Sequence, residues 1–218
     1  DASAGELDPA VTCPTSPLSS EASSTEAEQT ELLLKQATAC VRVGKPNRAV
    51  ALLSEIIHRN PSDAIAYLNR GSAQAAAGEV ALAIGDYATA LRLKPDLVEA
   101  WYDRGTTFTR LRRYENAISD FTEAIRLKPD FALAYCNRGL ANFQLGRYDD
   151  ALVDYSAAIE RDTRLSYCYL NRGTLYLTLG EYQRAIDDLT NAFSEKSSDA
   201  IALSRRGQAY EGLGQDSK

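Results

Sequence analysis

The sequence lacks most of the residue types from which catalytic and metal sites are built. Its 218 residues contain no methionine, one tryptophan and one histidine. That histidine, His58, has no cysteine, serine or carboxylate constellation near it in sequence. No glycine-rich phosphate loop follows a strand, and adjacent acids such as Asp149 and Asp150 would diverge on a helix. We therefore expect no enzyme activity, no cofactor and no metal.

Long apolar runs are also missing. No stretch approaches the ~18 apolar residues that a membrane span requires, and no basic start followed by an apolar segment indicates a secretion signal. Because the initiating methionine is absent, we expect that the N-terminus arose by processing or trimming. An exported bacterial protein of the periplasm or cell envelope fits this interpretation, and a cytoplasmic protein is the alternative.

Cysteine is scarce. The four residues Cys13, Cys40, Cys136 and Cys168 are too few and too scattered for a disulfide scaffold. No Cys-x-x-Cys pair is present to bind zinc. We expect all four to be free thiols that fill small volumes in the interior.

Basic residues are absent from the first 29 positions, which contain six acids. These positions are rich in Ser, Thr, Ala, Pro and Glu, a composition that predicts a flexible acidic leader over residues 1–29. The rest of the chain has 24 acidic and 24 basic residues. Such a neutral region lacks the basic stripe that nucleic-acid binding requires, so we expect no nucleic-acid partner.

What the sequence does contain is a period of 34 residues. One phrase recurs with small changes, as Asn69-Arg70-Gly71, Asp103-Arg104-Gly105, Asn137-Arg138-Gly139, Asn171-Arg172-Gly173 and Arg205-Arg206-Gly207. Repeats therefore run over 30–63, 64–97, 98–131, 132–165 and 166–199, with a partial sixth over 200–218. A fixed period of this length indicates an array of small structural units that stack on one another.

Each repeat predicts two antiparallel helices. The first ends near position 15 at a residue suited to positive φ, which is Gly44, Gly78, Gly146, Gly180 or Gly214, with Arg112 as the exception. Prolines stop the second helix in three repeats, at Pro61, Pro95 and Pro129. Large side chains at positions 4 and 24 alternate with small ones at positions 8 and 20, which predicts close interlocking of the helices.

This pattern resembles the tetratricopeptide repeat, which has a period of 34, an aromatic residue at positions 4 and 24, Gly at 8, Ala at 20 and 27, and Pro at 32. The resemblance covers residues 30 to about 214. It implies an all-α fold, a right-handed α-solenoid of five full repeats and one terminal helix, in a protein-binding class of molecule.

Charged residues recur beside the packing stripe at positions 7 and 23. Helical geometry predicts Arg–Asp pairs, within a repeat or between neighbours, because an unpaired charge there would be costly. The residues concerned are Arg70, Asp86, Arg104, Asp120, Arg138, Asp154, Arg172 and Asp188. The first repeat has Gln36 and Leu52 at these positions and lacks both charges.

The opposite face of each first helix is implied by the family to line a concave groove. Position 6 on that face presents Asn69, Asn137 and Asn171, along with Asp103 and Arg205. An amide donates and accepts hydrogen bonds, which suits contact with a peptide backbone. The arrangement is similar to the asparagine ladder of O-linked N-acetylglucosamine transferase, although Asp103 interrupts it.

Large side chains near these positions are expected to anchor a partner, and we select Tyr102, Phe143 and Tyr167. The alternative role for these large side chains is packing against the leader. The resulting hypothesis is a non-enzymatic scaffold or adaptor that binds a protein or peptide. The alternative function is the recognition arm of a larger enzyme or of a protease or glycosyltransferase complex. A homodimer through an uncapped sixth repeat is also predicted.

Overall fold

The computed structural model describes residues 12–14, 25–192 and 200–214. Over these residues it is all-α, with the helices α1 (Glu26–Arg42), α2 (Pro46–Arg59), α3 (Ala64–Ala77), α4 (Val80–Leu93), α5 (Val98–Arg110), α6 (Tyr114–Leu127), α7 (Ala132–Gln144), α8 (Tyr148–Arg161), α9 (Ser166–Thr178), α10 (Tyr182–Ala192) and α11 (Ala200–Gly212). None of the helices in these ranges is long and apolar enough to cross a membrane. The predicted leader lies largely outside the described residues.

Helix α1 begins earlier than the repeat boundary at residue 30. Thr25 caps it, because the Glu28 backbone N–H donates to Thr25 Oγ1 at 3.3 Å and the Thr25 N–H donates to Glu28 Oε2 at 2.7 Å. This reciprocal capping box satisfies two backbone donors that would otherwise lack partners. The Thr25-x-x-Glu28 pattern was the sequence signal for the earlier start.

The predicted helix ends are confirmed by the backbone. Five glycines that follow first helices have φ between +69° and +85°, namely Gly44, Gly78, Gly146, Gly180 and Gly214. Arg112 occupies the corresponding position after α5 and has φ of +57°. A side chain is unfavourable in this left-handed region, so the third repeat closes its first helix at a cost that the others avoid.

The chain divides into two compact units, Asp1–Thr107 and Phe108–Lys218. In unit 1, α1 packs on α2, α2 on α3 and α3 on α4. A core cluster that includes Leu33, Leu53 and Ile56 joins the first pair to α3. Tyr87 of α4 covers Gly71, where an added Cβ would lie 2.8 Å from the ring.

In unit 2, from α6 to α11, each helix packs on the next one in the chain. The first helices of successive repeats also touch, α7 with α9 and α9 with α11. Tyr155 packs over Gly139 as Tyr87 does over Gly71, and Leu189 takes the same place over Gly173. The predicted interlocking of large and small residues is therefore present in both units.

The first helices bury positions that we did not assign to the core. Positions 3 and 10 of the repeat are fully buried in unit 2, where they hold Ala134, Ala141, Cys168 and Leu175. Their signal in the sequence was the recurrence of small residues at both positions. A first helix thus has neighbours on two sides, and only a narrow face remains for other contacts.

Candidate functional site

Three Arg–Asp pairs join the two helices of a repeat with the same geometry. Arg70 Nε lies 2.7 Å from Asp86 Oδ2, and its Nη2 donates to Asp86 Oδ1 at 2.8 Å. Arg138 and Arg172 make the equivalent bidentate contacts with Asp154 and Asp188, at 2.7 to 3.0 Å. Planar guanidinium groups match carboxylates in this way, which explains the choice of arginine over lysine.

The remaining nitrogen of each guanidinium reaches the preceding repeat. Arg70 Nη1 donates to Ser54 Oγ at 3.1 Å, Arg138 Nη1 to Thr122 Oγ1 at 3.1 Å, and Arg172 Nη1 to Ser156 Oγ at 3.0 Å. The hydrogen bond with the partner carboxylate raises the pKa of Arg70 and of Arg172, while burial opposes that rise. The pairs therefore tie neighbouring repeats together from within the packing layer.

The fourth predicted pair consists of Arg104 in unit 1 and Asp120 in unit 2. It stays a prediction. The other three pairs join the two helices of a repeat and reach the preceding repeat, so their contacts are structural.

In unit 1, the surface that carries the predicted groove positions of α1, α3 and α5 is termed the unit 1 face, and Leu53 of α2 and Tyr87 of α4 reach it from the second helices. It includes Leu34, Thr38, Arg42, Asn69, Ser72, Tyr102 and Asp103. An open pocket of about 340 Å³ lies on it, lined by Leu34, Ala37, Thr38, Val41, Arg42, Leu53, Asn69 and Ser72. Its lining combines apolar side chains with the amide of Asn69 and the guanidinium of Arg42.

A short polar chain crosses the unit 1 face. The Tyr87 hydroxyl donates to Ser72 Oγ at 3.3 Å, and Ser72 Oγ lies 3.0 Å from Asp103 Oδ2. Burial raises the pKa of the Asp103 carboxyl, the hydrogen bond from Ser72 lowers it in part, and the negative charge of Glu99 adds to the rise. Asp103, which interrupts the asparagine series, is thus a partly desolvated carboxylate whose ionised form is disfavoured.

In unit 2, the corresponding surface of α7 and α9 is termed the unit 2 face. It includes Leu133, Asn137, Leu140, Tyr167, Leu170, Asn171 and Thr174. Asn137 and Asn171 are partly exposed and occupy the same repeat position on two helices that contact each other. Leu133 is 40% exposed and Tyr167 is 42% exposed. Amides and large side chains therefore share one accessible face.

Arg205 occupies the same repeat position on α11 and is partly exposed. Tyr102, in unit 1, is partly buried. Phe143 is partly buried against the core cluster that contains Tyr155, and its ring centre lies 5.8 Å from that of Tyr148. Its present contacts thus support the turn between α7 and α8, and a role as a binding anchor stays a prediction.

The expectation of free thiols is wrong for all four cysteines. Cys13 is bonded to Cys40 in unit 1, and Cys136 is bonded to Cys168 in unit 2. Cys40, Cys136 and Cys168 are fully buried, as expected for residues that fill the interior. Spacing in sequence could not show these pairs, because each joins segments that only the fold brings within bonding distance.

The hydroxyl of the buried Tyr155 side chain has no hydrogen-bond partner among the described residues. Burial raises the pKa of Tyr155 above its usual range, and the neighbouring Tyr167 and Asp154 raise it further. Burial also raises the pKa of Tyr167, and a hydrogen bond from the Asn171 side chain partly lowers it. The repeat pattern predicts a packing role for the Tyr155 ring and gives no signal for its hydroxyl, because Phe121 holds the same position in the third repeat.

The described residues do not bring together a set of ligands for a metal ion. Across the described ranges, no group of three histidine, cysteine, aspartate or glutamate residues is placed to hold a metal ion. The polar groups that do converge are amides, hydroxyls and paired charges.

Comparison with known families gives a consistent match. The family model described as tetratricopeptide repeat matches residues 34–98, 102–164 and 170–217. No curated protein gives a significant match.

Solved structures with the same fold are numerous. A tetratricopeptide repeat protein from Parabacteroides merdae has a TM-score of 0.72 at 22% identity and covers 86% of this chain and 75% of its own. MamA from Desulfovibrio magneticus RS-1 has a TM-score of 0.70 at 21% identity, covering 79% of this chain and 98% of its own. YrrB, titled a repeat protein with an unusual peptide-binding site, has a TM-score of 0.65 at 22% identity, covering 82% and 92%. These likenesses show a solenoid of helix pairs.

Proposed function

Because the chain belongs to the tetratricopeptide repeat family, we propose that it is a non-enzymatic scaffold that holds an extended segment of another protein on its first-helix faces. The proposal extends the family fold to a specific use of the unit 1 and unit 2 faces. Proteins of this architecture expose long surfaces rather than enclosed pockets, which suits binding along a strand of polypeptide.

The observation that carries the proposal is the repetition of Asn137 and Asn171. They stand 34 residues apart at one repeat position, on two helices that are in contact and joined by the Cys136–Cys168 disulfide. Two amides at one repeat position on neighbouring helices can bond two separate peptide groups of an extended chain whatever its side chains are. Asn69 offers the same group on the unit 1 face.

Apolar contacts supply the other part of the binding energy. Leu133 and Tyr167 flank the two amides on the unit 2 face and retain about two fifths of their surface exposed. On the unit 1 face, Asn69 borders the pocket of about 340 Å³ that has Leu34 and Leu53 in its lining. Each face thus pairs a backbone-binding amide with a place for an apolar side chain.

The test uses a library of random twelve-residue peptides displayed on phage and selected on the intact protein. Selected peptides are synthesised, and their dissociation constants are measured by calorimetry with the wild type and with the Asn137→Ala, Asn171→Ala double variant. Loss of two hydrogen bonds of about 1 kcal/mol each predicts binding that is about 30-fold weaker. The matched control is Asn116→Ala, an exposed amide on the second helix α6.

Equal dissociation constants for the wild type and the double variant would contradict the backbone-binding role. A similar loss with Asn116→Ala would show that binding uses the outer surface instead. Failure of the wild type to select any peptide would contradict the proposed function as a whole.

The two disulfides support a proposal about location. Disulfides persist in oxidising compartments and are rare in the cytosol. Cys13–Cys40 and Cys136–Cys168 therefore favour an extracytoplasmic site of action, which agrees with the envelope hypothesis from the sequence.

A further inference from the structure

The pocket on the unit 1 face is open because the first repeat has a short side chain where other repeats have a ring. Ala37 and Leu53 line the pocket and are almost fully buried. In the second repeat, Tyr87 holds the position of Leu53, and its hydroxyl reaches Ser72. A leucine side chain is shorter than a tyrosine side chain, so space remains beside Thr38, which corresponds to Ser72 in the first repeat.

Four polar side chains line this pocket, and they differ in the hydrogen bonds that they already make. The hydroxyls of Thr38 and Ser72 donate to backbone carbonyl oxygens of their own helices, at 2.9 and 3.1 Å. Arg42 and Asn69 have no hydrogen-bond or ion-pair partner within the part of the chain that the structure describes. An arginine can only donate, whereas an amide donates and accepts. Arg42 therefore suits an acceptor on a ligand, and Asn69 suits a peptide group.

The charges around the pocket favour an anion at the Arg42 end. Arg42 is exposed, and Lys35 on the same helix is already paired with Glu31 at 2.7 Å. At the other end, Asp103 Oδ2 lies 3.0 Å from Ser72 Oγ and would repel a second carboxylate. A ligand carboxylate is thus attracted to one end of the pocket and excluded from the other.

A second cleft continues from the pocket along α1. It has a volume of about 380 Å³ and shares Leu34, Thr38 and Arg42 with the pocket. The two clefts together extend from residue 31 to residue 42 of α1, which is about 16 Å at 1.5 Å per residue. About five residues of an extended chain have this length. A bound segment can therefore continue past Arg42, as an internal stretch of a polypeptide does.

We propose that the unit 1 face selects an internal, extended segment in which a large aliphatic residue lies two positions from an acidic one. The aliphatic side chain fills the pocket over Leu53, the acidic side chain pairs with Arg42, and Asn69 bonds a peptide group between them. Alternate side chains of an extended chain lie on the same side, about 7 Å apart, so both reach one pocket. This inference rests on the proposed function and names the class of ligand for the unit 1 face.

The unit 2 face has the same amide in different surroundings. The fourth repeat holds larger or uncharged side chains at the positions of Thr38, Val41 and Arg42, namely Leu140, Phe143 and Gln144. The preference for an acidic residue is therefore specific to the unit 1 face. Arg42→Gln and Val41→Phe are the natural test variants, because each introduces the residue type that the fourth repeat has at that position.

The first experiment uses synthetic peptides in place of an unidentified partner. Nine-residue peptides of Gly and Ser, acetylated and amidated at their ends, carry one Leu and one Glu placed two positions before or after it. They are titrated into the ¹⁵N-labelled full chain, and the side-chain amide signal of Asn69 is followed by NMR. For the better of the two orders, Gln in place of Glu is expected to weaken binding about fivefold. Ala in place of Leu is expected to weaken it about tenfold.

Equal dissociation constants for the Glu and Gln peptides, or for the Leu and Ala peptides, overturn the proposal. Failure of both orders to saturate the Asn69 signal overturns it as well. A further peptide ends in Leu with a free carboxylate and lacks Glu. Tighter binding of this peptide than of the amidated Glu peptide would show that the ligand is a chain end and would overturn the internal segment.

The second experiment repeats these titrations with protein variants. Arg42→Gln is expected to bind the Glu and Gln peptides equally and to keep the preference for Leu over Ala. Val41→Phe narrows the pocket at a residue that is 41% exposed, and it is expected to lose the preference for Leu. The matched control is Lys45→Gln, which removes an exposed charge three residues beyond Arg42 and outside the pocket lining. A Glu preference that persists in Arg42→Gln, or disappears in Lys45→Gln, overturns the pairing.

These outcomes are distinct from those that test the proposed function, which depend on Asn137 and Asn171 in unit 2. Selected peptides that bind through those asparagines, together with equal binding of the Glu and Gln peptides, would retain the scaffold and reject the selective pocket. Preferences for Glu and Leu among the short peptides, without any peptide selected from the phage library, would retain the pocket and reject the scaffold function.

Discussion

A polar group that loses water on folding raises the free energy of the folded state unless another group replaces the water. The unit 1 and unit 2 faces differ in how they meet this requirement. The Tyr87 hydroxyl donates a hydrogen bond to Ser72, which contacts Asp103, whereas the Tyr155 hydroxyl has no hydrogen-bond partner among the residues described. Unit 1 therefore carries a partly desolvated carboxylate, and unit 2 carries a buried hydroxyl without a partner.

Asp103→Asn tests the carboxylate by its pH dependence. Burial raises the folded-state pKa of Asp103 above its ordinary value of 3.8, so the ionised form destabilises the folded state. The wild type should recover this stability as the pH falls through the folded-state pKa, and recover it fully below 3.8. Asp103→Asn should thus be more stable than the wild type at pH 7, with a difference that vanishes at low pH. Urea denaturation of both proteins over this range, without ligand, measures it, and a constant difference would contradict the assignment.

At the scale of the helix, the arginine pairs and the glycine contacts hold each repeat together. Each bidentate pair joins the first helix to the second, and the third nitrogen of the guanidinium reaches the second helix of the preceding repeat. Asn142 adds a hydrogen bond to Asp154 Oδ2 at 3.2 Å. The paired charges therefore set the spacing between helices as well as neutralising each other.

Arg138→Ala is expected to lower the free energy of unfolding by about 2–4 kcal/mol, because it leaves the buried Asp154 without its cation. Side-chain exposure is 21% for Arg138 and 5% for Asp154, so solvent screens the pair only in part. The control is Arg147→Ala, since Arg147 is 47% exposed and lies 3.9 Å from Glu115. That variant should lose less than about 0.5 kcal/mol. Chemical denaturation that shows a loss below about 1 kcal/mol for Arg138→Ala would contradict a structural role.

Gly139→Ala and Gly207→Ala form a second matched comparison. A Cβ at residue 139 would lie 2.9 Å from Tyr155 Cε1, whereas a Cβ at residue 207 would meet nothing within 4 Å. We expect Gly139→Ala to destabilise by about 1–3 kcal/mol through overpacking. Gly207→Ala should stabilise α11 by up to about 1 kcal/mol, because alanine is the better helix former. Thermal unfolding followed by circular dichroism distinguishes the two, and similar effects would show that close approach of the helices is not limiting.

At the scale of the whole molecule, each compact unit contains one disulfide. Cys13–Cys40 links the segment around residue 13 to α1 in unit 1, and Cys136–Cys168 joins α7 to α9 in unit 2. Residues 136 and 168 are 32 apart in sequence, so the bond constrains a long loop in the unfolded chain. It also holds together the two helices that carry the paired asparagines.

Peptide mapping without reduction should recover both linkages from protein purified under oxidising conditions. The Cys136→Ser, Cys168→Ser double variant should unfold with a loss of about 3 kcal/mol relative to the oxidised wild type. The difference should disappear when both proteins are unfolded with a thiol reductant, after replacement of Cys13 and Cys40 by serine in each. Recovery of four unmodified thiols by mass spectrometry would contradict both bonds and the inferred oxidising compartment.

The sequence by itself determined the family, the helix pairs, the positive-φ helix ends and the large-to-small packing. Each of these depends on residues close in the chain or on a period that repeats every 34 positions, so local geometry suffices to predict it. The alternation of Tyr155 with Gly139, for example, is visible as an aromatic residue at position 24 and a glycine at position 8 of one repeat.

Tertiary structure alone decided which cysteines meet, that positions 3 and 10 of the first helices are buried in unit 2, and that the Tyr155 hydroxyl lacks a partner among the described residues. Those features depend on contacts between residues of different repeats, where a single exchange such as Ser72 to Leu140 changes the environment of a side chain on another helix. A repeat pattern averages over such exchanges, because it records what positions share. The differences between repeats become functional only when the folded chain brings them side by side.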